Sequence, residues 1–218
     1  MDGQLGSSQT LREARALLAP FGMLVFGAFR HGDGYGLLVG GIGGSFWAAF
    51  SSADHMRDGE AHPLDRWTVA TLEPIAAQLE AKAVYPFGQP FQPFQRWARE
   101  ATGMEHSPLG LLVHPEYGLW CSFRGALLFA EGDVVENRTA DWHPCDRCVE
   151  KPCLSTCPVS AFSADGFDVA ACRDHIGSAA GLACREAGCL ARKACPVGAQ
   201  YAYEDVQQRF HMGAFRGG

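Results

Sequence analysis

The sequence predicts an α+β protein in two parts, a sheet-and-helix domain over residues 1–135 and a small cysteine-held module over residues 136–218. Three observations point there. Of the 218 residues, 47% are hydrophobic, which suits one or two compact domains with a real core. Apolar strand-like runs alternate with helix-period segments along the first 130 or so residues. Eight of the nine cysteines then fall between Cys145 and Cys195, where the chain changes to short Cys/Pro/Gly/Ala segments with little room for a core. A region of that kind needs metal to fold.

The elements follow in order. "TLREARALL" opens with Thr10 and Glu13 at capping-box spacing and sets Leu11, Ala14, Leu17 and Leu18 on one side, predicting a short N-terminal helix. "FGMLVFGAFR", after Pro20, reads as a buried strand. "GLLVGGIGGSFWAAF" reads as a second strand, a glycine turn and a helix from about Ser45. That turn is not a P-loop, because no Lys-Ser or Lys-Thr follows it. "HPLDRWTVATLEPIAAQLEAKA" spaces Leu64, Trp67, Leu72, Ile75 and Leu79 as a long amphipathic helix, with Pro63 in its first turn and Pro74 as a kink. "AVYPF" is a short strand and "PFQRWAREA" a short helix. "GLLVHPEYGLWCSFRGALLF" predicts two apolar strands in a hairpin around "HPEYG". "AEGDVVENRTADWHP" is a polar linker.

The charge balance excludes some function classes. With a net charge of -6 and no basic stripe, nucleic acid is not expected as a partner. "MDGQLGSSQT" has neither a basic region nor an apolar core, so a signal peptide is not expected. Residues Gly34 to Ala53 carry no charge but are broken by six glycines, a poor membrane span. A soluble, cytoplasmic protein is the expectation. An odd number of cysteines confined to one end is not a disulfide scaffold, and in a reducing compartment it reads as metal binding.

The cysteine spacing narrows the metal. Cys145-x2-Cys148-x4-Cys153-x3-Cys157-Pro158 resembles the bacterial two-cluster ferredoxin motif C-x2-C-x2-C-x3-C-P, with two extra residues before Cys153. A looser second half holds Cys172, Cys184, Cys189 and Cys195-Pro196, and "CPVSAF" from Cys157 is echoed by "CPVGAQ" from Cys195. In that motif the fourth cysteine ligates the other cluster. The rule assigns Cys145, Cys148, Cys153 and Cys195 to one [4Fe–4S] cluster, and Cys157, Cys172, Cys184 and Cys189 to the other. Two zinc sites of four thiolates would use the same count, although zinc ribbons usually show two CxxC knuckles and this chain shows one. Arg147, Lys151, Arg173, Arg185, Arg192 and Lys193 stand among the cysteines as cations able to offset cluster charge.

The residues before the module carry a second resemblance. "SPLGLLVHPEYGLWCSFRGALLF", residues 107–129, resembles a segment of the cobalamin-processing CblC proteins, and "PFQRWA", residues 93–98, resembles their Pro-Phe-Gln segment. The order of parts is similar to that of epoxyqueuosine reductase and the reductive dehalogenases, in which a nitroreductase-like corrinoid domain precedes a two-cluster ferredoxin module. The lone Cys172 in "ACRDH" is placed as in those reductases. The resemblance covers roughly residues 85–200. It implies a nitroreductase-like (CblC-like) fold followed by a bacterial-ferredoxin-like module. It also implies a cobalamin pocket lined or supported by His114, Tyr117, Trp120 and Arg124 with Phe94, Gln95 and Trp97. The chain is shorter than those reductases and shows no matching catalytic acid, so neither tRNA-base reduction nor dehalogenation carries over. Plain roles compete at each position: a turn cap for His114, core packing for Trp120, a carboxylate anchor for Arg124 and a buried thiol for Cys121.

Two functional classes follow. In one, electrons from a donor protein cross the two clusters and reduce a corrinoid on the first domain, as in a cobalamin-linked reductase; flavin is the lesser alternative cofactor, and a small molecule the final acceptor. In the other, the protein is a ferredoxin-type carrier whose first domain holds no cofactor and docks a partner. Fold analogy allows a homodimer.

Overall fold

A computed structural model describes residues 2–132, 142–163 and 166–217, with side chains from residue 8 onward. The expected linker falls largely on residues 133–141, outside the described residues. In chain order the elements are α1 (Asp2–Leu18), β1 (Leu24–His31), β2 (Gly34–Ile42), α2 (Trp47–Ser52), α3 (Pro63–Gln78), β3 (Lys82–Val84), α4 (Phe94–Thr102), β4 (Glu105–His106), β5 (Leu112–Val113) and β6 (Cys121–Phe129). Short elements follow: α5 (Pro152–Ser155), β7 (Phe162–Ser163), β8 (Gly166–Phe167), α6 (Val169–Gly177), α7 (Leu182–Ala187), α8 (Leu190–Lys193) and α9 (Asp205–Gly217). The fold is mixed α/β with a small antiparallel sheet.

The chain divides into two compact units, Met1–Gly103 with Ser122–Thr139, and Met104–Cys121 with Ala140–Gly218. The sequence alone suggests one boundary at residue 135. The chain instead enters the second unit at residue 104, returns to the first at residue 122, and leaves again.

The first unit is built on a four-stranded sheet of order β1-β2-β6-β3. Its inner strand β2 is buried along nearly its whole length, as a continuous apolar run of Gly, Leu and Val requires. Helix α4 covers β1, with Trp97 stacked on Phe29 at 4.5 Å. In α3, the apolar positions Leu64, Trp67, Leu72 and Ile75 are all buried, and Pro63 starts the helix where its missing amide costs nothing. Phe46 and Phe50 pack on Trp67 at 5.9 and 5.6 Å.

Two expectations are corrected. Helix α1 runs through Thr10 instead of starting there; the Thr10 side chain hydrogen-bonds Tyr35 instead of capping. The strands around "HPEYG" do not form one hairpin: β5 pairs with β4, and β6 joins the main sheet between β2 and β3.

The second unit has little sheet, two pairs of two-residue strands. Its apolar cluster contains Leu109, Val113 and Leu119 together with Cys153, Ala191 and Cys195. Three of these six come from residues 104–121. The cysteine-rich stretch is poor in large apolar residues, so the preceding segment supplies them. Among the described residues no helix is long and apolar enough to cross a membrane.

Candidate metal centre

Eight cysteines gather in the second unit as two sets. Cys145, Cys148, Cys153 and Cys195 line one small cavity, closed by Ser107, Pro108, Leu119, Pro144, Pro152 and Val197 among others. Burial pushes the Cys145 thiol up to about 11, and the neighbouring Cys195, Cys153 and Cys148 push the same way, while Lys151 opposes. In the other set, burial raises the Cys172 thiol to about 11, followed by Cys189, Cys157 and Cys184. Cys153, Cys184, Cys189 and Cys195 are raised too, each first by burial. Metal-free, these groups are neutral thiols at neutral pH. Binding a cation must expel their protons.

One short helix and two turns aim backbone amides at the sulfurs. The Ala161 N–H donates to Cys157 Sγ at 3.3 Å. The Leu190 amide donates to Cys184, and those of Ala191 and Arg192 donate to Cys189, the residue that precedes α8. The Val197 amide serves Cys195, just past its Cys-Pro turn. Such bonds favour the thiolate form.

The two sets share one apolar core. Cys145, Cys153 and Cys195 pack on it from one set, and Cys157 and Cys189 from the other. Among the described residues, no three His, Cys, Asp or Glu side chains converge as a single metal ion requires.

The "HPEYG" turn is part of this unit's frame. His114 and Gly118 exchange backbone hydrogen bonds of 2.8 and 2.9 Å. His114 Nδ1 accepts from the amides of Glu116 and Tyr117 at 3.1 and 3.2 Å, and the ring stacks on Tyr117 at 4.3 Å. Burial lowers the His114 pKa. Tyr117 meets the ring of Tyr201 edge-on at 5.1 Å. Trp120 is buried against Tyr203, with the Arg192 guanidinium 4.5 Å from its ring.

The remaining residues nominated for a cofactor pocket lie in the first unit. Phe94 and Trp97 are buried in its core, and Gln95 is exposed on the outer face of α4. Arg124 is buried and donates to Asp65 at 2.6 Å and to Thr68 Oγ1 at 3.1 Å. Phe94 and Trp97 pack the sheet domain, Arg124 binds Asp65 and lies over Phe87, and His114, Tyr117 and Trp120 frame the cysteine unit. Cys121 is pushed up to about 12 by burial, against the pull of Arg192.

Sequence reasoning missed a cavity of about 560 Å³ in the first unit, lined by His62, Asp65, Arg66, Val69, Ala70 and Phe87. No periodicity marks those positions, since Val69 and Ala70 read as the outer face of α3. It also missed that Leu109, Val113 and Leu119 belong with the cysteines.

No protein-family model matches this chain, and no curated protein matches it significantly.

Proposed function

We propose that this protein is a one-electron carrier holding two [4Fe–4S] clusters, one on Cys145, Cys148, Cys153 and Cys195, the other on Cys157, Cys172, Cys184 and Cys189. The observation that carries the reading is the gathering of eight buried or half-buried thiols into two sets of four around one apolar core. The donor sets fit. Each set supplies four thiolates, the number a four-iron cluster takes, one per iron. Once bound, such a group supplies one-electron chemistry. The chain's own residues hold it: backbone amides stabilise the thiolates, and Leu109, Val113 and Leu119 keep water from the shared core.

The test is an inventory of anaerobically purified or reconstituted protein. About eight irons with matching sulfide per chain is the expected result. Zinc in place of iron would overturn the proposal, and about four irons would confine it to one set.

A second reading rests on the first unit's cavity, whose size lies in the range of small-molecule and cofactor sites. There the carrier's electrons serve an acceptor bound on that unit, and a corrinoid or a flavin is the class the sequence resemblance implies. Titration with cob(II)alamin should then shift the visible spectrum, or heating should release a yellow flavin. Neither response leaves the carrier delivering electrons to a docked partner protein.

A further inference from the structure

Buried polar atoms that find no hydrogen bond are confined to one part of the chain. Among the described residues they include Trp120 Nε1, His143 Nε2, His175 Nε2 and both side-chain polar atoms of Gln207, and all of them belong to the second unit. Among the described residues of the first unit there is none. Folded proteins pair such atoms almost without exception, because a buried donor or acceptor has given up its water. The unit that gathers the cysteines therefore calls for acceptors that its own side chains and backbone do not supply.

One of these atoms belongs to a residue on the same helical face as a cysteine. In α6, Ala171, Cys172, His175 and Ile176 are half-buried or buried, while Val169, Arg173, Asp174 and Gly177 are exposed. Residues three apart are neighbours on a helix, and side chains lean back toward the helix N-terminus. The His175 ring thus leans over the turn that carries Cys172. Helix α6 packs on α7, which carries Cys184. Neither helix lines the cavity of Cys145, Cys148, Cys153 and Cys195. The other orphans are less closely tied to a set. His143 precedes Cys145 but does not line that cavity, Trp120 packs on Tyr203, and Gln207 sits on α9, which carries no cysteine.

An imidazole nitrogen either donates an N–H or accepts through its lone pair. Thiolate and sulfide sulfurs only accept, so Nε2 can meet them only as a donor. A hydrogen bond to a cluster sulfur gains strength when the cluster takes up an electron, which favours the reduced form. We propose that His175 donates its Nε2–H to a sulfur of the cluster held by Cys157, Cys172, Cys184 and Cys189, and thereby raises that cluster's potential. This rests on the two-cluster reading. The bond is the side-chain counterpart of the backbone N–H that Ala161 gives to Cys157.

The test is electron-spin-echo spectroscopy of full-length, anaerobically reconstituted protein, with nitrogen-15 in the histidine rings and dithionite as the reductant. Wild type should show a weak nitrogen coupling to a reduced cluster. His175→Phe should lose that coupling, and an EPR-monitored redox titration should find one midpoint potential lowered and the other unmoved. His175→Gln keeps an N–H donor at a similar reach, so it should lose the histidine coupling yet hold the midpoint closer to wild type. Should His175→Phe fail to take up iron, His175→Gln decides: loss of the coupling supports the proposal, and a persisting coupling overturns it. An iron-replete wild type without the coupling, or an iron-replete His175→Phe protein with both midpoints unmoved, overturns the inference alone. A strong coupling, that of a nitrogen bound directly to iron, does the same. Wild type with less iron than two clusters need overturns the two-cluster reading instead.

Discussion

His114 keeps its turn shut with one ring nitrogen, which accepts two backbone amides and must therefore be unprotonated. Burial lowers its pKa in the fold, so the unfolded chain binds the proton more tightly. The stabilisation is fully present above the ordinary histidine value of about 6.5 and is lost as pH falls below it. Thermal unfolding followed from pH 7.5 to 5 should show that loss, and His114→Asn, whose side-chain oxygen can accept the same amides, should flatten it. An unchanged slope in the variant would assign the pH dependence to other histidines. At this scale the sequence names chemistry but not neighbours. Arg124, Trp97 and Phe94 carry the residue types of a cofactor pocket, yet the fold uses Arg124 to bind Asp65 and Thr68 and buries both rings in the core.

Between elements, two glycines decide whether the turn can sit on the cysteine loop. Gly118 has φ +58°, and a Cβ there would stand 1.9 Å from the Val197 carbonyl oxygen. Gly198 has φ +69°, and its Cβ would stand 2.3 Å from the Tyr117 backbone. The left-handed backbone alone costs an alanine on the order of 1–3 kcal/mol, before the overlap is counted. Gly118→Ala and Gly198→Ala should each lower the melting temperature and reduce iron bound per chain. Gly213→Ala, where the added Cβ meets nothing within 4 Å, should do neither. The amphipathic spacing of α3 and the apolar run of β2 were legible because burial repeats with the period of each element. The N-terminal capping box and the expected hairpin misled because both rest on local pattern: Thr10 has a tertiary partner in Tyr35, and β6 has partners in β2 and β3.

For the molecule as a whole, the second unit is discontinuous in sequence. Residues 104–121 bring it Leu109, Val113 and Leu119, half of its central apolar cluster, and the Leu119 carbonyl that holds Arg192. A chain of residues 140–218 alone should therefore show little fixed structure by circular dichroism and hold less iron than the full-length protein. Iron content equal to full length would mean that the cysteine module folds without its borrowed core. The sequence by itself pointed to the eight cysteines that the structure gathers in the second unit, because spacing along a chain is set by covalent reach and by turns at proline. It also determined the mixed α/β character of the first unit, through hydrophobic period. Only the tertiary structure decided that the "HPEYG" segment frames the cysteines, that Phe94 and Trp97 are core and Arg124 binds Asp65, and that Arg192 lies between Trp120 and Tyr203. Those outcomes depend on packing between residues as far as 85 positions apart, such as Glu116 and Tyr201, and no local pattern encodes which distant surface a segment will cover.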